Sequence, residues 1–325
     1  MRPEGLETGL RRWWLAGAEP RLSAHDLGLI VCFVGLLLAG AWFAEAFFTE
    51  RNMSNLMRQV VANGLISLGM LLVILTGGID LSVGSVVALG GVLFAGIADQ
   101  LGIGAALAIA ITCGAVAGLV NGVIIARFKL QSFIVTLATM GIARGCVYLY
   151  TEIPISPSHP GFRDLGATLV GVVPLSMIVM LICYALVWFY LNRTPAGRAT
   201  VAIGGNEEAV RLAGVDVQRT VVVAYMLSGA LSALSGAILV SRLGIAQPSL
   251  GIAYELDAIA ACVIGGAALG GGAGSVGGTL FGVLTLGLIN NLLNLVGVKS
   301  FYQDIVKGAV IILAVLLVAT KREKR

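Results

Sequence analysis

The sequence predicts an all-α membrane protein with about ten transmembrane helices. Apolar stretches recur along most of its 325 residues, only 12% of the residues are charged, and the mean hydropathy is +0.96. A soluble domain carries about 25% charged residues, whereas an apolar run of roughly 18 residues or more can cross a bilayer. We therefore expect lipid as the surroundings, and the small net charge of +4 does not point to nucleic acid as a partner.

Charged or polar residues separate the apolar runs, and each run is long enough for one span. The first run, for example, is bounded by Asp26 and Glu45. The first seven spans are predicted within Leu27–Ala44, Gln59–Ile79, Leu81–Ala98, Gln100–Ala126, Leu130–Tyr150, Leu165–Asn192 and Thr220–Ser241.

The rest of the chain holds three further predicted spans. The stretch Ala258–Val298 is too long for one crossing and contains the glycine-rich break Gly270–Ser275, so it divides into an eighth and a ninth span. The tenth span runs from about Asp304 to Thr320.

The first span has a second interpretation. A basic start, an apolar run and the sequence Ala44-Glu45-Ala46 resemble a cleavable signal peptide. The apolar run is longer than usual for such a peptide, so we expect the span to be retained. Cleavage would leave the topology of the other spans unchanged.

The distribution of Lys and Arg predicts that both termini are cytoplasmic, because positively charged loops stay on that side. With this orientation, fourteen of the 21 basic residues are inside and five outside, and Arg144 and Lys307 lie within spans. The inner ones are Arg2, Arg11, Arg12, Arg21, Arg127, Lys129, Arg193, Arg198, Arg211, Arg219, Lys321, Arg322, Lys324 and Arg325; the outer ones are Arg51, Arg58, Arg163, Arg242 and Lys299.

Two parts of the chain resemble each other. Gly118–Gly122, which contains Asn121, is matched by Gly287–Asn291, which contains Asn290, and Asp80 has a counterpart in Asp257. The match pairs spans two to five with spans seven to ten, and a shift of five spans reverses direction. It therefore predicts an inverted repeat, which places a transport pathway at the repeat interface; chance resemblance in a glycine-rich chain is the alternative.

The segment 192–219, between the sixth and seventh spans, predicts a short cytoplasmic helix. Asn206 is a good N-cap, Glu207 and Glu208 suit the positive end of the helix dipole, and Gly214 is a natural C-cap. Glu207 and Arg211 have the i,i+4 spacing of an ion pair. About seven residues are too few for an isolated helix, so we expect it to pack on its own bundle or to dock into a soluble partner.

Three strings resemble hallmarks of the ribose/xylose/arabinose-type ABC permeases: Gly77–Ser85, Ala202–Ala209 and Tyr254–Ala261. Branched-chain amino-acid permeases are similar over less of these strings. The resemblance covers about residues 25 to 320 in order, and it also includes Thr136–Met140 and Gln303 with Lys307 and Gly308.

This resemblance implies the fold of an inverted-repeat type II importer permease in the bacterial inner membrane. It implies one permease domain over 1–325, with cytoplasmic segments 1–26, 192–219 and 321–325. It also implies three protein partners: a second permease chain, identical or not, a cytoplasmic ABC ATPase, and a periplasmic sugar-binding protein. The predicted helix Asn206–Gly214 would be the coupling helix seated in the ATPase, where a merely structural helix is the alternative. The imported solute would be a monosaccharide, either a ribose-like pentose or a related sugar.

Polar residues at the ends of spans are candidates for a pathway or gate. Asp80 and Ser82 lie between two apolar helices, where they either cap the third helix or line a broken helix. Asp257, with Glu255, has the same two interpretations on the opposite side. Asn121 and Asn290 are further candidates, because they occupy equivalent positions in the two stretches that resemble each other.

Arg144 lies within a predicted span, where a charge costs about 2.5–3.5 kcal/mol on insertion scales. It should therefore face protein or water, either in a structural pairing, for which Glu152 is near enough in sequence, or in contact with the solute. Outside the membrane, Arg51, Arg58, Arg163 and Arg242 are either solvated loop charges or docking residues for the acidic lobes of a binding protein.

Several functional classes find no support in the sequence. It contains no Gly-Lys dipeptide and so no P-loop, so ATP and Mg²⁺ are expected on a partner ATPase and no cofactor on this chain. Five widely spaced cysteines and two histidines predict no metal site. An ion-coupled transporter or channel would need ionisable residues at mid-membrane, of which the predicted spans hold almost none and no histidine. An enzyme would need a cluster of catalytic groups, and the sequence shows no such cluster.

Overall fold

The computed structural model describes residues 24–299 together with 302, 303, 305, 308 and 309. This part of the chain is almost entirely helical. Its other elements are a 3₁₀ turn at Pro160–Arg163 and an antiparallel pair of strands, β1 Leu169–Val170 and β2 Val173–Pro174. The α-helices are α1 Ala24–Phe43, α2 Glu50–Leu75, α3 Val83–Leu101, α4 Ile103–Phe128, α5 Ser132–Tyr150, α6 Asp164–Ala167, α7 Leu175–Arg193, α8 Pro195–Gly205, α9 Glu207–Leu212, α10 Val217–Leu243, α11 Tyr254–Ile264 and α12 Val276–Leu295.

Seven of these helices are long and apolar enough to cross a membrane: α2, α3, α4, α5, α7, α10 and α12. The chain is therefore a multi-pass membrane protein. The predicted count of about ten spans is not confirmed in the described residues. In the region of the first predicted span, the apolar helical stretch is only Gly28–Phe43, and the tenth predicted span falls almost wholly outside the described residues.

The eighth predicted span is interrupted earlier than expected. Its helix, α11, has 11 residues and ends at Ile264, whereas the sequence placed the break at Gly270–Ser275. Gly266, at φ +88°, has already left the helical conformation, and Gly271 and Gly272 also have positive φ. Because glycine adopts this left-handed region without steric cost, the chain leaves the helix at the first glycines that it meets.

Helix α10 lies at the centre of the bundle and packs against α2, α3 and α4. Small residues bring the backbones together: a Cβ atom on Gly114 of α4 would lie 2.4 Å from the Gly229 carbonyl oxygen of α10. A Cβ on Gly90 of α3 would lie 2.6 Å from the Ala233 Cα. Such close packing of small residues is typical of helices that associate in lipid.

The inner and outer helices differ in burial. The most apolar 18-residue stretch of α2 is 83% buried, whereas the corresponding stretches of α4 and α5 are only 22% buried. Large apolar side chains on these outer helices, such as Ile142 and Leu149, remain exposed. In a bilayer these faces are suited to lipid or to another apolar helix surface.

A buried amide pair joins α12 to the start of α2. Asn291 Nδ2 donates to Asn52 Oδ1 at 2.8 Å, and Asn52 Nδ2 donates to Asn291 Oδ1 at 3.1 Å and to the Phe47 carbonyl oxygen at 2.8 Å. Both side chains are nearly inaccessible. The pair satisfies polar groups that would be costly to bury alone.

Candidate gate and coupling site

The turn between α2 and α3 contains a carboxylate that is only 1% exposed, that of Asp80. Its Oδ1 accepts hydrogen bonds from the backbone N–H and the hydroxyl of Ser82, and its Oδ2 accepts one from the Ser228 hydroxyl at 3.0 Å. Ser228 lies on α10, 148 residues later in the chain. Hydrogen bonds to an ionised group offset part of the high cost of burying it.

The network extends from this turn to two further helices. Asn121 of α4 donates from Nδ2 to Ser82 Oγ at 3.1 Å, and its Oδ1 accepts from the Thr139 hydroxyl of α5 at 2.5 Å. We call Asp80, Ser82, Asn121, Thr139 and Ser228 the Asp80 network. It joins the turn before α3 to α4, α5 and α10.

Side chains of α5 also hold the irregular backbone of this turn. The Ile79 N–H donates to Ser132 Oγ at 3.1 Å. The Thr136 hydroxyl, whose shortest hydrogen bond is to the Ser132 carbonyl oxygen at 2.8 Å, also lies 3.3 Å from the Ile79 carbonyl oxygen. Ser132, Thr136, Thr139 and Ser228 were not among the predicted site residues. The spacing 132, 136, 139 places three hydroxyls on one face of an apolar helix, and this periodicity could have identified the three on α5.

The capping interpretation of Asp80 and Ser82 describes only part of their geometry. Ser82 does occupy the N-cap position of α3, but its side chain makes no capping hydrogen bond. Asp80 instead accepts the Ser82 N–H and holds hydroxyls from both Ser82 and Ser228. Ser82 therefore marks the start of α3, and together with Asp80 it links this turn to α4 and α10.

Arg144 makes a structural pairing, but with a different partner from the one considered in the sequence. Its Nη1 donates to the carbonyl oxygens of Pro248 and Leu250 at 2.6 and 2.9 Å. The side chain of Glu152, the partner considered from the sequence, is exposed. The turn before α11 offers carbonyl oxygens within reach of a long side chain, so backbone oxygens rather than Glu152 accept the hydrogen bonds of the guanidinium. The Glu255 carboxyl also lies close enough to attract it.

The remaining pathway candidates lie on α11 and α12. Asp257 is half-buried in the first turn of α11. The neighbouring Glu255 packs on the start of α3, since a Cβ on Gly84 would lie 2.5 Å from its Oε2. Asn290 of α12 is buried, and its Oδ1 has no hydrogen-bond partner among the described residues. Arg144 and Asn290 are not members of the Asp80 network.

The segment predicted as one short helix forms two. Helix α9, Glu207–Leu212, begins as expected, because Asn206 Oδ1 accepts the Ala209 N–H at 3.0 Å. Helix α8, Pro195–Gly205, precedes it and was not predicted, although Thr194 caps it and Pro195 occupies its first turn, which is a common start signal. Gly214 follows α9 with φ +81°.

Arg211 forms its ion pair with a different glutamate from the predicted Glu207. Arg211 pairs with Glu208 at 2.6 Å, at i,i+3 spacing, which the helix allows equally well. The Arg211 guanidinium lowers the pKa of the Glu208 carboxyl through this hydrogen bond. None of the six residues of α9 is buried; five are exposed and Val210 is partly buried, so most of the surface of this capped helix is available to a partner.

A cleft of about 590 Å³ lies beside α9. It is bounded by the start of the turn that carries Asp80 and by the α4–α5 connection. Its polar lining includes Lys129, Gln131, Glu207, Arg211 and Tyr225. Helix α9 and the start of the turn that carries Asp80 therefore border the same cleft.

The four predicted docking arginines are in different environments. Arg58 Nη2 donates to the Ala167 carbonyl oxygen at 3.0 Å, and Arg163 Nη2 donates to the Leu243 carbonyl oxygen at 3.1 Å. These bonds bring Arg58 and Arg163 to the surroundings of α6 and the end of α10. Arg242, in the last turn of α10, is half-buried, and Arg51 is exposed.

Known proteins resemble this chain over almost its whole length. The ribose import permease protein of Bacillus subtilis (strain 168) is 47% identical over 322 residues, covering 98% of both chains. That of Escherichia coli (strain K12) is 44% identical over 297 residues, 89% of this chain and 92% of the relative. The L-arabinose transport system permease protein of Escherichia coli (strain K12) is 39% identical over 302 residues, 92% of each.

No solved structure matches the sequence. Residues 52–315 match the family model described as "Branched-chain amino acid transport system / permease component". The matched range contains both the Asp80 network and the exposed helix α9. The chain therefore belongs to this family of permease components.

Proposed function

We propose that the chain is the membrane-spanning subunit of an ATP-driven importer and that it moves a pentose such as ribose into the cytoplasm. The observation that carries the proposal is the 47% identity to a ribose import permease over 98% of both chains. The L-arabinose permease, at 39% identity, also bears the name of a pentose. The shared sugar class is the reason for proposing a pentose.

ATP hydrolysis is assigned to a partner, because the sequence holds no P-loop. That partner is a cytoplasmic ABC ATPase, which carries the ATP and Mg²⁺. Helix α9 is its proposed docking element: it is short, capped at Asn206 and exposed at every residue except Val210, which is partly buried. A six-residue helix is too short to be stable by itself, and burial in a partner would supply the missing contacts.

The proposed orientation places both termini and the segments 1–26, 192–219 and 321–325 in the cytoplasm. The whole chain is one permease domain in the bacterial inner membrane. The asymmetry of Lys and Arg supports this orientation. It also places α9 on the cytoplasmic side, where an ATPase can reach it.

The proposed mechanism is alternating access by two permease chains, identical or not, with the inverted repeats moving against each other. The Asp80 network is the proposed gate on the side of α9. It links the turn before α3 to α4, α5 and α10, so relative movement of these elements must break at least one of its hydrogen bonds. Arg144, Asp257 and Asn290 are proposed to line or position the pathway.

A periplasmic sugar-binding protein is the proposed third partner, docked on Arg51, Arg58, Arg163 and Arg242. The carbonyl hydrogen bonds of Arg58 and Arg163 support this role, since they hold both guanidinium groups in place before docking. A preorganised basic surface loses less conformational entropy on binding an acidic lobe.

The experiment that tests the function is uptake by proteoliposomes containing the purified permease, its ATPase and its binding protein. We expect ATP-dependent uptake of radiolabelled ribose or arabinose and no uptake of leucine. The family description makes leucine the informative comparison. Leucine uptake without pentose uptake would overturn the sugar assignment, and uptake driven by an ion gradient without ATP would overturn the importer assignment.

A further inference from the structure

Three backbone segments meet at a contact made almost entirely by glycine. They are the end of α8, the turn that follows α2, and the break between α11 and α12. We call Gly77, Gly204, Gly271 and Gly272 the glycine junction. Its member Gly204 lies two residues before Asn206, which caps α9, and its member Gly77 lies three residues before Asp80.

Gly204 occupies the tightest position of the junction. A Cβ atom on it would lie 2.1 Å from the Leu75 carbonyl oxygen, 2.3 Å from the Gly272 nitrogen and 2.8 Å from the Gly271 carbonyl carbon. All three neighbours are backbone atoms, which cannot move away by changing rotamer. Any side chain at Gly204 would therefore push the turn after α2 and the break away from α8.

The other two sides of the junction are also in close backbone contact. A Cβ on Gly271 would lie 2.7 Å from the Gly204 Cα and 2.8 Å from the Gly77 nitrogen. The Gly272 N–H donates to the Leu75 carbonyl oxygen at 3.1 Å. The break is therefore hydrogen-bonded to the end of α2 and packed on α8 at the same point.

We infer that Gly204 and Gly271 are positioning residues that transmit movement of α9 to both interrupted segments of the membrane domain, the turn of the Asp80 network and the break before α12. Side chains absorb small displacements by changing rotamer, whereas close-packed backbone has no such freedom. A displacement of α8 and α9 is therefore passed on to Leu75–Gly77 and to Gly271–Gly272. This inference rests on the proposed docking of an ATPase on α9.

The chain offers a matched control for this inference. Gly205 follows Gly204 in α8, but a Cβ atom on Gly205 would meet nothing within 4 Å. Gly204→Ala and Gly205→Ala add the same methyl group to adjacent positions of one helix. A general effect of alanine on helix stability is of similar sign in both variants, whereas only Gly204→Ala disturbs the junction.

The test is the ratio of sugar imported to ATP hydrolysed in proteoliposomes that hold the full complex with its binding protein. We expect Gly204→Ala to retain ATP hydrolysis while the ratio falls about tenfold, the size of a typical coupling between sites. Gly205→Ala should match the unaltered protein in both quantities. An unchanged ratio for Gly204→Ala, or an equal loss for Gly205→Ala, would overturn the inference. If the unaltered protein imports no sugar, the proposed function fails instead.

A second measurement covers the case in which Gly204→Ala does not fold. Spin labels are placed on Gly205→Cys and on Ala273→Cys, both exposed positions beside the junction. Because the junction moves as one unit, the distance between the labels should be the same in the nucleotide-free and ATP-bound complexes. A distance that changes with nucleotide would show that α8 and the break move independently, and the inference would then be wrong.

Discussion

Asn52 and Asn291 exchange hydrogen bonds in both directions across the interface of α2 and α12, at 2.8 and 3.1 Å. Each carboxamide therefore satisfies the other at a position where both side chains are buried. Replacing only one of them leaves a buried donor and acceptor unpaired, whereas replacing both removes the polar groups altogether.

The first prediction follows from this pair. Asn291→Ala should destabilise the protein by about 1–3 kcal/mol, because Asn52 keeps only its bond to the Phe47 carbonyl oxygen. The Asn52→Ala, Asn291→Ala double variant should lose less than the sum of the two single variants. Thermal unfolding of the four proteins in one detergent measures this coupling. Strict additivity would show that the pair contributes no interaction of its own.

The second prediction concerns the Asp80 network. Asp80→Asn keeps the shape of the side chain, but it removes the charge and turns one acceptor into a donor opposite serine hydroxyls. We expect folded protein with sugar uptake reduced about tenfold or more, since each lost hydrogen bond to a charged group costs about 1.5–3 kcal/mol. Ser228→Ala, which removes one of the donors, should reduce uptake less. Uptake by Asp80→Asn at the normal level would exclude the network as a gate.

The third prediction tests the docking role of α9. Reversing Glu207 and Glu208 to lysine should abolish sugar uptake and weaken co-purification of the ATPase, while membrane insertion stays normal. The matched control is the reversal of Glu45 and Glu152, which are also exposed and undergo the same change in charge. Co-purification in mild detergent and uptake at equal protein level are the measurements. Full uptake by the α9 variant would contradict the coupling role.

The fourth prediction concerns the proposed docking arginines. Reversing Arg51 and Arg163 to glutamate should raise the concentration of binding protein needed for half-maximal uptake about tenfold, because charge reversal at a docking rim acts on association. Uptake at saturating binding protein should recover. The control is Arg219→Glu, which reverses an exposed charge in the first turn of α10. A loss of maximal uptake without a change in the half-maximal concentration would point to a structural role.

Local sequence signals predicted those features that depend on neighbouring residues. Asn206 caps α9 as expected, since the capping bond spans only three residues. The partner of Arg211 was not predictable, because Glu207 and Glu208 both lie within its reach on the helix. Thr194 and Pro195 mark the start of α8, so this helix too has a local start signal in the sequence.

Features that depend on distant residues were not visible in the sequence. Ser228 reaches Asp80 from 148 residues away, and no local pattern marks it among the other serines of α10. The shortness of α11 has a different origin: the apolar run continues past Ile264, and only the φ angles of its glycines interrupt the helix. The hydrogen-bond partners of Arg144 are carbonyl oxygens 104 and 106 residues further along the chain, and no local pattern marks them.

The central position of α10 has a consequence for biosynthesis. Helices α2, α3 and α4 all pack on α10, yet each of them leaves the ribosome before α10 has been translated. Until then the Asp80 carboxylate lacks Ser228, and the glycines of α4 face no partner helix. About the first two thirds of the nascent chain therefore remains in the membrane without the central helix of the bundle, accessible to chaperones and to quality-control proteases. A premature stop codon before residue 217 would leave a fragment with no route to the native state.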